Sequence, residues 1–199
     1  RSQFRPHVSW IRNQIRYIKL CLKNERPWGG IRKLSKLKHL AQSNYVRSFI
    51  NASKLECVEL FEPINKSYLD LSKENIARGV SNEVLYNPAK GMHLTQQIID
   101  ANPNIKFTPL KGFTKTQLLE KIKNAKLYID LGHHPGRDRL PREAVILGCC
   151  LISSRMGAAG NRHDLPIPEK YKFDHTNPNF VINTSAMIEA GLKRAHSIA

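Results

Sequence analysis

The stretch that decides the fold is "LYIDLGHHPGRDRLPREAVILGCCLISS", Leu127 to Ser154. An apolar run breaks into His-His-Pro-Gly-Arg-Asp-Arg, resumes as an amphipathic segment and ends in a second apolar run. Two short apolar runs flanking a helical segment read as strand, helix, strand, with both strands covered on both faces. The same alternation extends on either side. Upstream lie strand "EVLYN", helix "MHLTQQIIDAN", strand "IKFTPL" and helix "TKTQLLEKIKNA". Further upstream, "HLAQS", "NYVRSFINAS" and "CVELF" read as strand, helix and strand. Alternation at this spacing predicts βαβ units and an α/β, Rossmann-like doubly wound parallel sheet, with a mostly helical N-terminal segment.

Between these blocks, "EPINKSYLDLSKENIARGVSN" shows no clear period and reads as a linker, and "SAMIEAGLKRAH" reads as a closing helix. The expected organisation is a basic segment over 1–60, a linker over 61–82, an α/β domain over 83–183 and a C-terminal helix over 184–199.

The chain has 199 residues and a formal net charge of +16. Residues 1–40 hold eleven Lys and Arg against one acid, Glu25, so +10 sits there and +6 on the other 159 residues. That imbalance points to an anionic partner such as nucleic acid, anionic lipid or a phosphorylated substrate; a solvated basic face explains it equally well. Val8, Ile11, Ile15, Ile18 and Leu22 recur at helical spacing, with Arg12, Arg16, Lys19 and Lys23 opposite. Such a helix lies on an anionic membrane surface or packs on a core. Trp10 and Trp28 flank it, as interfacial anchors or as ordinary packing. No nucleic-acid motif or interleaved aromatic platform appears, so nucleic acid is the less favoured partner.

No apolar run of about 18 residues exists to span a membrane. Cys21, Cys57, Cys149 and Cys150 give no disulfide framework, which fits a reducing cytoplasm. The chain begins at Arg1 with no signal-peptide layout, so a fragment of a longer protein is expected. A zinc site joining His133 and His134 to Cys149 and Cys150 is disfavoured, because neighbouring strand residues face opposite ways.

In an open parallel sheet, ligands bind where strands lead into helices. The loop "GHHPGRDR" occupies such a place, with Gly132 and Gly136 for close approach and Pro141 in the first helical turn. Free amides and the helix dipole there favour an anion, and Arg137, Arg139 and Arg142 add charge-assisted contacts suited to a diphosphate. The competing reading is an arginine-rich surface turn with Asp138 paired to Arg137 or Arg139. Two further strand-end loops, "NPAKG" and "SSRMGAAGN", support the ligand reading.

Together these residues resemble the nucleotide-sugar-binding domain of GT-B glycosyltransferases, from about His39 to Asp174. "NPAKG" resembles the lysine-glycine turn after that domain's first strand. "LPREAVILGCCLISSRMGAAGN" resembles its Glu-Ala helix, strand and glycine-rich loop. A closer likeness is to a bacterial subgroup of polysaccharide glycosyltransferases with a "DFGNHPGKDRIPREA"-like signature, which reads "DLGHHPGRDRLPREA" here. "HLAQSNYVRSFI" and "EPINKSYL" resemble the end of the preceding domain, so 1–60 is expected to be the remnant of an acceptor-side domain.

The resemblance implies a nucleotide-diphosphate sugar as donor and a glycan or lipid-linked acceptor, in surface polysaccharide synthesis at the cytoplasmic side. It implies Glu143 on the donor ribose, Lys90 and a loop arginine on the diphosphate, and the amides around Gly157, Ala158 and Ala159 on sugar or phosphate. The donor-binding set is thus Lys90, Gly91, His134, Gly136, Arg137, Arg139, Glu143, Gly157 and Ala158. His133 and His134 are both weighed, one of them as a sugar or phosphate contact, against the reading of a polar loop histidine without a role. No Asp-x-Asp pair occurs, so neither a metal clamp nor a cofactor is expected. Two positions depart from the family pattern: Pro135 stands in place of an acid, and Leu85 in place of an arginine.

Overall fold

The computed structural model describes residues 35–60, 62–74 and 79–193. The amphipathic segment over 8–22, Trp10, Trp28 and Cys21 lie outside the described residues. The chain divides after residue 61 into two compact units.

In the first unit, strand β1 (His39–Ala41) pairs in parallel with β2 (Cys57–Glu59), with helix α1 (Asn44–Ala52) between them in sequence. The buried Ser43 caps α1, accepting from the Val46 amide at 3.1 Å, and Arg47 bonds Glu59 across the turn at 2.6 Å.

The second unit starts with helix α2 (Lys66–Lys73) in the segment read as a linker. That reading is corrected by packing: Asn65 caps the helix, and Tyr68 is buried with Ile64 and Leu71 against the sheet. Eight residues with one buried position give too short a period to read from sequence. Next come β3 (Ser81–Tyr86), α3 (Met92–Ala101), β4 (Lys106–Pro109), α4 (Lys115–Asn124) and β5 (Ala125–Asp130). They are followed by α5 (Arg139–Ile146), β6 (Cys150–Ser154), β7 (Lys172–Phe173) and α6 (Phe180–Lys193). The closing helix thus begins four residues before the expected boundary at 184.

The five strands form one parallel sheet in the order β4-β3-β5-β6-β7. Alternate strand residues feed two cores. Leu85, Tyr128 and Leu151 pack with α2, α4 and α5 on one face. Val84, Leu127, Ile129 and Ile152 pack with α3 and α6 on the other. Helices on both faces explain why these strands read as unbroken apolar runs. Cys149 and Cys150 go to opposite cores, as pleat alternation demands. The Cys149 thiol donates to the Ile122 and Ala125 carbonyls at 3.0 and 3.1 Å, and burial pushes its pKa up to about 12.

At the amino edge of the sheet, Glu83 is 3% exposed and accepts from Thr108 Oγ1 at 2.7 Å and from Lys121 Nζ at 3.2 Å. Burial opposes its ionisation, but the Thr108 and Lys121 hydrogen bonds win and hold its carboxyl below the ordinary range. A depressed carboxylate stabilises the fold above its unfolded pKa and loses that contribution as pH falls through the folded value. Glu83→Gln is therefore expected to cost about 1–2 kcal/mol near neutrality, and less in acid. Urea midpoints for both proteins across an acid series check this; a penalty unchanged by acid would count against it.

Candidate functional site

Every strand-to-helix loop of a parallel sheet emerges at the carboxyl edge. The strand order reverses direction between β3 and β5, the kind of place where open parallel sheets bind ligands. The turn after β3 runs through Asn87, whose Oδ1 accepts from the Ala89 amide at 3.0 Å, to Gly91. Gly91 caps α3 in the left-handed region, φ 58°, without a side-chain hydrogen bond. The turn after β5 passes Gly132 and ends at Asp138, which caps α5 and also makes no side-chain cap bond.

These two turns touch backbone to backbone. A Cβ on Gly91 would sit 2.6 Å from the Gly132 Cα, and one on Gly132 would sit 2.6 Å from the Lys90 Cβ. The loop after β6 closes the third side. The Ala158 amide donates to the His134 carbonyl at 2.8 Å, the His134 amide donates to the Met156 carbonyl at 3.3 Å, and Ser154 Oγ donates to the Gly132 carbonyl at 2.7 Å.

One chain of charges runs through the joined loops. Lys90 Nζ donates to Asp138 Oδ2, the same oxygen that lies 3.0 Å from His134 Nδ1. His134 Nε2 lies 3.3 Å from Asp130 Oδ1; the pair misses hydrogen-bond alignment, so both atoms are buried without a hydrogen-bond partner among the described residues. Tyr128 Oη donates to the other Asp130 oxygen at 3.0 Å. Burial of His134, 2% exposed, favours the neutral ring, but Asp130 and Asp138 outweigh it and push its pKa up to about 9. Burial likewise opposes ionisation of Asp138, and His134 and Lys90 hold it below the usual carboxylate range. Burial, then Asp130, drives the Tyr128 phenol well above its ordinary value.

The structure thus brings together Lys90, Gly91, His134, Gly157 and Ala158. Gly136 lines a narrow crevice with His134, Arg137, Asp138, Arg142 and Ala158. The other sequence-derived residues sit further out. Arg137 donates to the His163 carbonyl and pairs with Asp164 at 3.4 Å. Arg139 pairs with Glu62 at 3.3 Å. Glu143, 7% exposed, lies beside Tyr68, whose phenol burial and then Glu143 push up to about 12. Asp138 was read against Arg137 or Arg139; the structure gives it to Lys90 and His134 instead. Tyr68, Tyr128 and Asp130 were not singled out, although an acid closing an apolar strand is a signal for Asp130.

Asp130, His134 and Asp138 form the one group of ligand-type side chains close enough to share a metal among the described residues. Their carboxylates flank opposite ring nitrogens, which suits an ion-paired imidazolium better than a common metal position. A larger surface groove, lined by Asn102, Pro103, Asn104, Glu189 and Lys193, lies at the amino edge, away from the joined loops. No helix among the described residues is long and apolar enough to cross a membrane. No protein-family model, curated protein or solved structure matches the chain.

Proposed function

We propose that the chain is the donor-binding part of a GT-B type glycosyltransferase, which transfers a sugar from a nucleotide-diphosphate sugar to a glycan or lipid-linked acceptor in surface polysaccharide synthesis. The observation that carries this reading is that the uncapped amino terminus of α3 at Gly91 packs on the loop after β5 at Gly132, while Lys90 beside it reaches Asp138 at the uncapped amino terminus of α5. Unfilled amides and two helix dipoles favour an anion there.

In such a reaction, negative charge grows on the departing nucleoside diphosphate. Fixed dipoles and the Lys90 ammonium stabilise that charge without rearranging, which lowers the barrier. Glu143, held beside Tyr68, is the acceptor for ribose hydroxyls. The +10 charge on residues 1–40 fits a peripheral position at an anionic inner membrane face.

Calorimetric titration with UDP, GDP, ADP, CDP and dTDP tests the reading. One nucleotide is expected to bind selectively, and Lys90→Met is expected to weaken it about tenfold to a hundredfold, the loss of a charge-assisted contact. Failure of the wild-type chain to bind any of the five at millimolar concentration would overturn the proposal.

A further inference from the structure

Asp138 Oδ2 is shared between two cations, Lys90 Nζ and His134 Nδ1. An incoming phosphate that needs Lys90 therefore meets a carboxylate already seated on it. Like charges do not share one ammonium at contact distance without a cost. The carboxylate has a second partner on its other side, and the geometry fixes the state of that partner. A neutral imidazole carries one N–H and one lone pair. Either neutral tautomer of His134 would turn a lone pair on a carboxylate oxygen, at 3.0 Å toward Asp138 or 3.3 Å toward Asp130. Only the imidazolium turns an N–H toward each carboxylate.

Resting on the donor-site reading above, we infer that Asp138 is a positioning residue that holds Lys90 before ligand binds and passes wholly to His134 when a diphosphate takes the lysine. Lys90 is thereby kept extended toward the crevice instead of free in solvent, and the released carboxylate stays neutralised. The groups facing His134 are Asp130 at the end of β5, Asp138 at the start of α5 and, through Asp138, Lys90 from the turn after β3. Tyr128 stands behind Asp130. Arg137 is engaged with Asp164. Loss of the ring proton removes the place to which Asp138 retreats, so the carboxylate stays on Lys90 and competes with the ligand.

The test is binding, between about pH 7.5 and about pH 10, of whichever of the five nucleoside diphosphates the chain selects, measured with wild type, Asp138→Asn and His134→Gln. Asp138→Asn is expected to bind about tenfold tighter at the lower pH, because Lys90 loses its competitor, and His134→Gln about tenfold weaker. Wild-type affinity is expected to fall about tenfold across the series, since His134 titrates near pH 9, and His134→Gln to show no such fall. The wild-type series needs no substitution, so a misfolded variant does not block the test. Wild-type binding that is flat with pH, together with Asp138→Asn weakened as much as Lys90→Met, would make Asp138 a plain structural partner and overturn this inference alone. Binding of none of the five nucleoside diphosphates by wild type or by Asp138→Asn would overturn the donor-site reading with it.

Discussion

Gly157→Ala is expected to destabilise the larger unit by on the order of 3 kcal/mol and to abolish nucleotide binding. Gly157 sits at φ 67°, ψ −137°, a conformation costly to any residue with a Cβ. An added Cβ would also lie 2.1 Å from the His134 carbonyl oxygen. That oxygen cannot retreat cheaply, because it accepts from the Ala158 amide and fixes the bridge between the loops after β5 and β6. Gly112→Ala separates the two causes: its φ is 79°, yet nothing lies within 4 Å of the new atom. It should cost only about 1 kcal/mol, from strain alone. Thermal unfolding reads the difference, with a midpoint drop of roughly 10 °C for Gly157→Ala and a few degrees for Gly112→Ala. Equal drops for the two variants would mean that the loops are not locked together at His134.

The second large effect is a loss of stability with rising pH. The His134 pKa is raised in the folded protein, from 6.5 to about 9. A raised histidine stabilises the fold fully below its unfolded pKa, and that contribution disappears as pH climbs through the folded value. Between pH 6.5 and about 9 the larger unit should thus lose on the order of 3 kcal/mol. His134→Gln should be less stable at pH 6.5 by a similar amount, because Asp130 and Asp138 then lose the imidazolium between them. Above the transition the two proteins should converge. Denaturant unfolding of both proteins at several pH values gives the answer; parallel curves with no convergence would assign the charge between the carboxylates elsewhere.

The sheet was legible because parallel strands buried on both faces must be apolar throughout, as Leu127 to Ile129 and Leu151 to Ile152 are. The gathering of "NPAKG", "GHHPGRDR" and "SSRMGAAGN" was legible for a related reason: in a parallel sheet every strand-to-helix turn exits at one edge. The partners within that edge were not. Asp138 has Arg137 and Arg139 as chain neighbours, but a helix start points successive side chains apart. Its true partner, Lys90, is 48 positions away and arrives only because β3 and β5 pair. The imidazolium was hidden similarly, since nothing in "GHHPG" says which histidine turns inward. Helix α2 escaped notice because its single buried residue, Tyr68, answers to Glu143, far along the chain.

The position of α6 bears on how the chain is made. It packs on α3, β3, β5 and β6, covering the face formed by Val84, Leu127, Ile129 and Ile152. During synthesis those strands leave the ribosome first, and their apolar cover comes last, with Phe180 to Ile188. Until then the nascent domain exposes the part of that face which α3 does not cover. A chain stopped before Phe180 would emerge as a sheet with one dry face partly uncovered, a substrate for chaperones and for aggregation rather than a smaller binding domain.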